Sequence, residues 1–422
     1  MDRRVKELIE ETKIKFGLAA YELKRYGLHR DVNIFNETVY TLSMEWFPEG
    51  VEEPADESNP EGSAVIEVHV PSQQVASAIF VKGKTYAKSG INFTGLDTGG
   101  IIEWMEQETG LMYGKQLQLY KEEEGKLLFN EVIDGIAVSP SGSLEINYDE
   151  EGNLTLFAVH GHFPFKEMIR EEAFALSFDK IEQVAKKQLK LIKFPSFEHK
   201  KLIPVYGVEE IYLTNDQMVK IPFEWTVDER SNLPIDQTIY FDQTVTSPFE
   251  RQEVTWSKEV TADQAFSAEP SPDSRPITDK EQEKCFVAIK HFLLQEYPDD
   301  SGKWILKTLH RDNGFIFATL RGSQEGNHVL QRKLTVIIDP VHFRAVNYVD
   351  NQAMLAIFDD DQAPAQAVID KEAAYQKLKE LYEFTPYYVY DFKRRQYVLC
   401  GKVDCHYGVE ASTGQVIALE DL

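Results

Sequence analysis

Strand–turn–strand patterns recur along the whole chain and most constrain what it can fold into. In each pattern an alternating stretch of apolar and polar residues leads into a turn rich in Asp, Asn, Pro or Gly, and a second such stretch follows. The clearest copies span residues 144–159, 210–221, 334–348 and 407–419, and a weaker copy spans residues 66–81. These patterns predict β-hairpins, and therefore antiparallel sheet, in every part of the chain.

Three helix starts share a second pattern, in which an aliphatic residue precedes a capping residue and a charged amphipathic run. The capping residues are Ser177, Thr278 and Asp370, whose side-chain oxygens can accept from N–H groups of the first turn. Thr278 with Glu281 also has the spacing of a capping box. Apolar residues recur at helical spacing after each cap. They are Ile181, Ala185, Leu189 and Ile192 after Ser177; Cys285, Ile289 and Phe292 after Thr278; and Ala374, Leu378 and Leu381 after Asp370. The sequence predicts a helix after each cap, the first running over residues 178–194.

Helices and hairpins combine into a repeating unit of one helix and one antiparallel sheet. The three caps lie about 100 and about 90 residues apart, which is typical of a repeat. An amphipathic helix at the start of the chain and a short one near Asp97 would begin the first two units. The predicted fold class is α+β, with five degenerate units in tandem. A chain of 422 residues also exceeds what one hydrophobic core usually holds.

Two stretches interrupt the pattern and indicate the domain organisation. Residues 48–63 form an acidic, Pro- and Gly-containing loop. Residues 261–276 contain three prolines and few apolar side chains, which predicts an extended, exposed linker. We therefore expect two units in residues 1–165, a third in 166–260, and the last two in 277–422.

The charge of the chain excludes some partners. Lys and Arg number 45 against 70 Asp and Glu, which gives a net charge of -25. Such a field repels nucleic-acid phosphates and anionic membrane surfaces, so we expect neither as a partner. No apolar run reaches the length of a membrane helix. The first residues lack the apolar region of a signal peptide, and three cysteines do not form a disulfide framework, so we expect a cytoplasmic protein.

The closing stretch holds Cys400, Cys405 and His406, which raises the question of a metal or redox site. A structural zinc site needs a second pair of ligands, and the chain has only Cys285 besides these two. On an unbroken strand Cys400 and Cys405 would point to opposite faces. We interpret the stretch as a terminal hairpin with free thiols. Residues 408–414 lack the spacing and the Lys-Ser/Thr of a phosphate-binding loop, and Ser412, Thr413 and Gly414 suit a hairpin turn instead.

Other candidate residues have weaker support. His160 and His162 would share a strand face, but no third metal ligand lies next to them. The acid pairs at Glu209-Glu210 and at Asp359, Asp360 and Asp361 could serve glycoside hydrolysis only if two carboxyls faced each other across a cleft. The aromatic run at residues 385–390 is typical of core packing. The sequence therefore assigns no catalytic, cofactor-binding or metal-binding residue.

Three stretches resemble a known family. Residues 129–161, FNEVIDGIAVSPSGSLEINYDEEGNLTLFAVHG, resemble the PepSY pattern found in pro-regions of thermolysin-like proteases. The stretches beginning ITDKEQEKCFVAIKHFLL and VIDKEAAYQKLKELYEF resemble the YcdB/YcdC repeated domain of Bacillus-type bacteria, which is related to PepSY. The resemblance covers most of the chain from about residue 99, is clearest in the last unit, and carries no catalytic motif.

Two functions follow as hypotheses. The resemblance implies a non-enzymatic module that binds a protein or peptide and modulates a peptidase, because PepSY pro-regions bind and inhibit their protease. Open sheet edges also suit peptide capture by strand addition, or self-association. The alternative is a hydrolase with a carboxylate or histidine site in a cleft between domains. We favour the binding module.

Overall fold

The computed structural model describes residues 1–55, 58–196, 200–216, 218–222, 233–242, 247–256, 259–323, 331–358, 368–392 and 394–422. Its helices are α1 (Arg3–Lys15), α2 (Thr98–Thr109), α3 (Phe178–Gln188), α4 (Ala262–Phe266), α5 (Asp279–Glu296), α6 (Gln352–Leu355) and α7 (Lys371–Leu378). The first strands are β1 (Tyr21–Val32), β2 (Thr38–Pro48), β3 (Ala64–His69), β4 (Val75–Phe80), β5 (Leu117–Glu123), β6 (Lys126–Ile133), β7 (Ile136–Ser139), β8 (Ser143–Tyr148) and β9 (Leu154–His160).

The remaining strands follow α3. They are β10 (Leu189–Ser196), β11 (Lys201–Val208), β12 (Ile211–Thr214), β13 (Lys220–Pro222), β14 (Leu233–Ile239), β15 (Trp304–Asp312), β16 (Phe315–Gly322), β17 (Lys333–Asp339), β18 (Arg344–Asp350), β19 (Glu383–Asp391), β20 (Gln396–Asp404), β21 (Tyr407–Glu410) and β22 (Val416–Ala418). Helices and antiparallel sheets together confirm the α+β class. Among the described residues, no helix combines the length and the apolar character needed to cross a membrane.

The chain divides into two compact units. The first contains Met1–Ile169, Lys258–Ser274 and Lys393–Tyr397, and the second contains Arg170–Ser257, Arg275–Phe392 and Val398–Leu422. Each unit therefore takes segments from distant parts of the sequence. This division differs from the expected boundary at residues 261–276.

The first unit is built on one antiparallel sheet with the strand order β1-β2-β3-β4-β9-β8-β6, to which β5 and β7 pair through β6. Alternate residues of β2 point into the core, and Tyr40, Leu42, Met44 and Trp46 are all buried. α1 and α2 supply the facing side chains; they are Val5, Leu8 and Ile9 from α1 and Ile101 and Met105 from α2. The predicted amphipathic helix at the start of the chain and the short helix expected near Asp97 are both confirmed, and the Asp97 side chain caps α2.

The predicted linker is largely exposed, as expected, but it is not extended throughout. Thr261 begins α4 with a complete capping box, and Ala265 is buried in the core of the first unit. The Ser271 N–H donates to Thr38 Oγ1 at 2.7 Å, and the Tyr40 hydroxyl donates to the Glu269 carbonyl at 2.7 Å. Three prolines follow α4 in this segment, and the hydrogen bonds of β2 with Glu269 and Ser271 hold that part in place.

The second unit contains three antiparallel strand sets. β14-β15-β16-β17-β18 form a five-stranded sheet, and α5 covers one face of it with Cys285, Ile289 and Phe292. The other sets are β10-β11-β21-β22 and β19-β20-β12-β13. Hydrophobic clusters around Ile181 of α3 and Ala374 of α7 pack against these two sets.

Most local predictions are confirmed. All five hairpins form, as β3–β4, β8–β9, β12–β13, β17–β18 and β21–β22. A helix begins directly after Ser177, after Thr278 and after Asp370; the side chains of Thr278 and Asp370 accept from the first turn as predicted, whereas Ser177 makes no side-chain cap hydrogen bond. Thr278 and Glu281 form the full capping box. The repeat relationship among the units stays a prediction.

The predicted length of the first of these helices is wrong. α3 ends at Gln188, and residues 189–196 form β10, so Ile192 lies on a strand. β10 pairs along its whole length with β11. Residues 189–196 could also form a helix by their intrinsic propensity. The hydrogen bonds of the ladder with β11 satisfy their backbone groups instead, so the tertiary pairing overrides the helical spacing.

Candidate functional site

The cysteines of the closing stretch are buried thiols in separate environments. Cys400 lies on β20 and packs with Tyr212 and Val389, whereas Cys405 belongs to the cluster that contains Tyr375. The predicted placement on opposite faces agrees with these two environments. Burial raises the pKa of the Cys405 thiol. Because the thiolate is the nucleophile and the metal ligand, Cys405 is poorly suited to either role.

His406 does not share the environment of these thiols. Its side chain is 67% exposed, and its Nε2 lies 3.6 Å from a carboxylate oxygen of Glu383. Burial also raises the pKa of Cys285, on α5, to about 12. Each cysteine is therefore best described as a small apolar side chain in a core.

The glycine-containing segment after β21 is a hairpin turn, as predicted. Gly414 adopts a positive φ of 73°, and its carbonyl accepts from Lys377 Nζ at 2.6 Å. The Glu410 carboxylate accepts from the hydroxyls of Ser412 and Thr413. A carboxylate in the turn repels phosphate, so the geometry does not suit a nucleotide.

The acid pair Glu209-Glu210 is divided between two ion-pair networks. Glu209 lies 2.7 Å from Lys190 Nζ and 3.3 Å from Lys220 Nζ. Burial opposes ionisation of Glu209, but these lysines outweigh it and lower its pKa. Glu210 lies 3.2 Å from Lys402 Nζ and accepts from Tyr212. Both carboxylates have structural partners.

The second acid group and the aromatic run are the remaining sequence candidates. Asp359, Asp360 and Asp361 lie outside the described residues. The aromatic run lies on β19, where Tyr388, Val389 and Tyr390 are buried and Thr385 is exposed. Core packing therefore accounts for its aromatic side chains.

The two candidate histidines do not share a strand face. β9 ends at His160, and Gly161 then turns the chain with a φ of 88°, which a side chain would strain. His162 instead lies against Phe35, with ring centroids 6.1 Å apart. Burial lowers the pKa of His162, and the nearby charge of His69 lowers it further, while Glu37 and Asp31 oppose both effects.

His69, at the end of β3, is the residue that sequence reasoning missed in this cluster. Burial lowers the pKa of His69, and its Nδ1 is buried with no hydrogen-bond partner. His69 and His162 thus form a pair that resists protonation. Within the described ranges, no group of three or more His, Cys, Asp or Glu side chains could hold a metal ion.

Glu131 is the second titratable group that sequence reasoning missed. It lies on β6 and is only 1% exposed. Its Oε2 accepts from the Gly142 N–H at 2.6 Å, while its Oε1 is buried without a partner. Burial raises the pKa of Glu131 to about 8, against the smaller opposing effect of the Gly142 hydrogen bond. The carboxyl is therefore protonated at neutral pH.

An edge strand supplies the feature with the clearest binding geometry. β1 lies at the end of the sheet of the first unit and, within the described residues, pairs only with β2. A register shift between Leu23 and Arg25 interrupts the ladder near its start, and residues 25–32 then pair without interruption with residues 38–45. One long side of β1 thus presents backbone groups that no strand among the described residues pairs, although the Val32 N–H already donates to Asp31 Oδ1 at 2.7 Å.

A pocket in the first unit does not suit a substrate. It has a volume of about 10 Å³, and apolar residues such as Phe16 and Phe80 line it together with polar groups, among them those of Thr85 and Asn153. That volume holds about one water molecule.

Comparison with known proteins identifies no family. No family model matches the chain, and no curated protein matches it. Among solved structures, the chain is similar to the Bacillus megaterium YpeB C-terminal domain, with 6% sequence identity and a TM-score of 0.27, over 83% of this chain and 97% of that chain. A TM-score of that size does not establish a shared fold. The resemblance to PepSY and YcdB/YcdC domains stays a prediction.

Proposed function

We propose that the protein is a non-enzymatic module that binds an extended peptide segment of a partner protein at the free edge of β1. The uninterrupted ladder of residues 25–32 against β2 supports this proposal. A peptidase whose activity the bound segment modulates is the partner class that the sequence resemblance implies.

The free edge offers backbone hydrogen bonds at regular spacing. In an antiparallel pair every second residue directs its N–H and its C=O away from its partner, so residues 25–32 offer up to about eight outward groups. Each net hydrogen bond contributes about 1 kcal/mol. A peptide that adds as a further strand would satisfy the groups of this row other than the Val32 N–H, which Asp31 already accepts.

Side chains of β1 give the captured strand an apolar contact. Tyr26 and Leu28 lie opposite the buried Met44 and Leu42 of β2. Tyr26 is nevertheless 44% exposed, because no further strand among the described residues covers that margin of the core. A bound strand with an apolar residue at the facing position would cover Tyr26, and that contact would give sequence preference.

Lys24 limits where capture can occur. It lies at the register shift, and a bulged Lys is a device that protects an edge from pairing. The protected part is the start of β1, which leaves residues 25–32 as the segment for a partner. Self-association would use the same segment.

Hydrogen exchange on the full-length protein tests the proposal. Peptides selected from a displayed random library should protect alternate amides of residues 25–32 from exchange. Tyr26→Lys should weaken their binding about tenfold, because it places a charged side chain where the bound strand would cover Tyr26. Ile14→Lys is the matched control, since Ile14 is an exposed apolar residue on α1 of the same unit. Protection elsewhere in the chain, or equal effects of the two variants, would contradict the assignment to β1.

The hydrolase alternative stays a prediction. The acid pair Glu209-Glu210 is neutralised by lysines, and His162 of the histidine pair lies against Phe35 with the charges of Glu37 and Asp31 nearby. No observation on the described residues favours it over the binding module.

A further inference from the structure

The outer face of the five-stranded sheet, opposite α5, carries side chains in three parallel rows. Alternate residues of β16 point away from the core, because Ile316, Ala318 and Leu320 are buried against α5. The intervening positions face outward, at about 7 Å spacing along the strand. Cross-strand register then aligns each of them with partners on β15 and β17.

The first row is aromatic. His310 lies opposite Phe317, and their rings stack with centroids 5.1 Å apart and an interplanar angle of 13°. Trp256 stacks on Phe317 at 6.0 Å and 20°, and it also meets the edge of Phe315. Trp256 is 49% exposed. Trp256 is therefore the solvent-exposed part of the row, while His310 and Phe317 beside it are half-buried and Ile337, opposite Phe317 on β17, is buried.

The segment that carries Trp256 is held to the sheet. The Gln252 N–H donates to the Val346 carbonyl of β18 at 2.8 Å, and the Asn347 side chain donates to the Gln252 carbonyl at 3.1 Å. These bonds fix the approach of the segment to the outer face. Trp256 is thus a preorganised part of the aromatic row, and such surfaces lose little entropy on binding.

The second row is hydroxylic and the third is cationic. Thr308, Thr319 and Thr335 lie directly opposite one another on β15, β16 and β17. One step further along, Arg321 lies opposite Lys333. Among the described residues neither cation has a carboxylate within ion-pair distance, although the chain carries a net charge of -25.

The unpaired cations are costly to the folded protein. Like charges directly opposite one another on a strand pair destabilise the sheet. Most lysines and arginines near this sheet are neutralised, as Lys307 is by Asp236 and Arg332 is by Asp350. Arg321 and Lys333 thus form a local positive field that complements an acidic ligand.

We propose that this outer face binds an acidic polypeptide segment, whose apolar side chains rest on Phe317 and Trp256 and whose carboxylates face Arg321 and Lys333. Exposed Trp and Arg are the residue types that dominate protein-binding surfaces. The threonine row between them can hydrogen-bond to the backbone of the segment. This surface belongs to the second unit and does not depend on the proposed role of β1 in the first.

Fluorescence anisotropy on the full-length protein tests the proposal with labelled peptides of defined charge. A peptide of alternating Glu and Leu should bind, and added salt should weaken its binding because the cations are solvent-exposed. Trp256→Ala and Arg321→Gln should each weaken binding about tenfold. A peptide of alternating Lys and Leu should not bind.

Two controls make the result specific. Lys290→Gln removes the same charge from α5, which covers the opposite face, and it should leave binding unchanged. Alginate, a polyuronate, tests an anionic glycan as occupant. Tighter binding of alginate than of the acidic peptide, equal effects of Arg321→Gln and Lys290→Gln, or no peptide binding at all would each overturn the proposal. Circular dichroism spectra confirm that the variants fold.

Discussion

Replacement of Glu131 by Gln should remove a pH-dependent loss of stability from the first unit. The pKa of Glu131 in the folded protein is raised to about 8 from the ordinary 4.5, mainly by burial. The native state therefore holds a proton that the unfolded chain releases. Its stabilising contribution is complete below pH 4.5 and is lost as the pH rises towards 8.

The size of the effect follows from the two pKa values. Each pH unit between them costs the native state about 1.4 kcal/mol, so the penalty is about 1 kcal/mol at pH 5 and about 4 kcal/mol at pH 8. Gln is neutral throughout, and its side-chain oxygen can still accept from the Gly142 N–H. The gain in the free energy of unfolding that Glu131→Gln brings over the wild type should therefore be about 3 kcal/mol larger at pH 8 than at pH 5.

Hydrogen exchange of amides in β6 and β8 measures this difference, because it reports the free energy of opening of the first unit alone. Glu145→Gln is the control, since Glu145 pairs with Lys126 on the neighbouring strand and its pKa is lowered, chiefly by that lysine. It should not share the gain at high pH. Parallel pH profiles for Glu131→Gln and the wild type would show that burial does not raise the pKa of Glu131 and that its carboxyl is ionised at neutral pH.

Two further predictions concern a helix cap and the histidine pair. Thr278→Ala should destabilise α5 by about 1 kcal/mol through loss of its cap, whereas Thr278→Ser should not, and urea denaturation followed by circular dichroism decides between them. The pKa values of His69 and His162 are lowered in the fold, so the stability that they contribute is complete above about pH 6.5 and is lost as the pH falls. His69→Gln should flatten that fall in hydrogen exchange of β3 between pH 7 and pH 5, and an unchanged slope would refute the role of the pair.

Local patterns predicted much of the secondary structure because the interactions that produce them are local. The capping box of Thr278 and Glu281 involves residues three positions apart, and the β8–β9 hairpin closes over a short turn. The wrong end of α3 has a non-local cause. Residues 189–196 become a strand because β11 pairs with them, and helical spacing alone does not contain that information.

The two titratable sites also differ in whether the sequence contained a local signal for them. A signal for Glu131 was present in the sequence, because Leu127, Phe129 and Glu131 alternate on one strand and so place a carboxyl on the core side. The partner of His162 carried no such signal. His69 lies more than ninety residues earlier, and only the folded sheet brings the two together.

Pairing between distant segments also explains why the boundary at residues 261–276 does not separate the two units. The five-stranded sheet takes β14 from before that boundary and β15 to β18 from after it, and β12 pairs with β20 across a still longer separation. Closing such loops costs entropy that grows only slowly with their length, so a hairpin can find its neighbour far along the chain. The proposed binding face has the same origin, because Trp256 precedes the boundary and Phe317 follows it. Each residue alone is an ordinary aromatic side chain, and their stacking is what makes a surface that a partner can use.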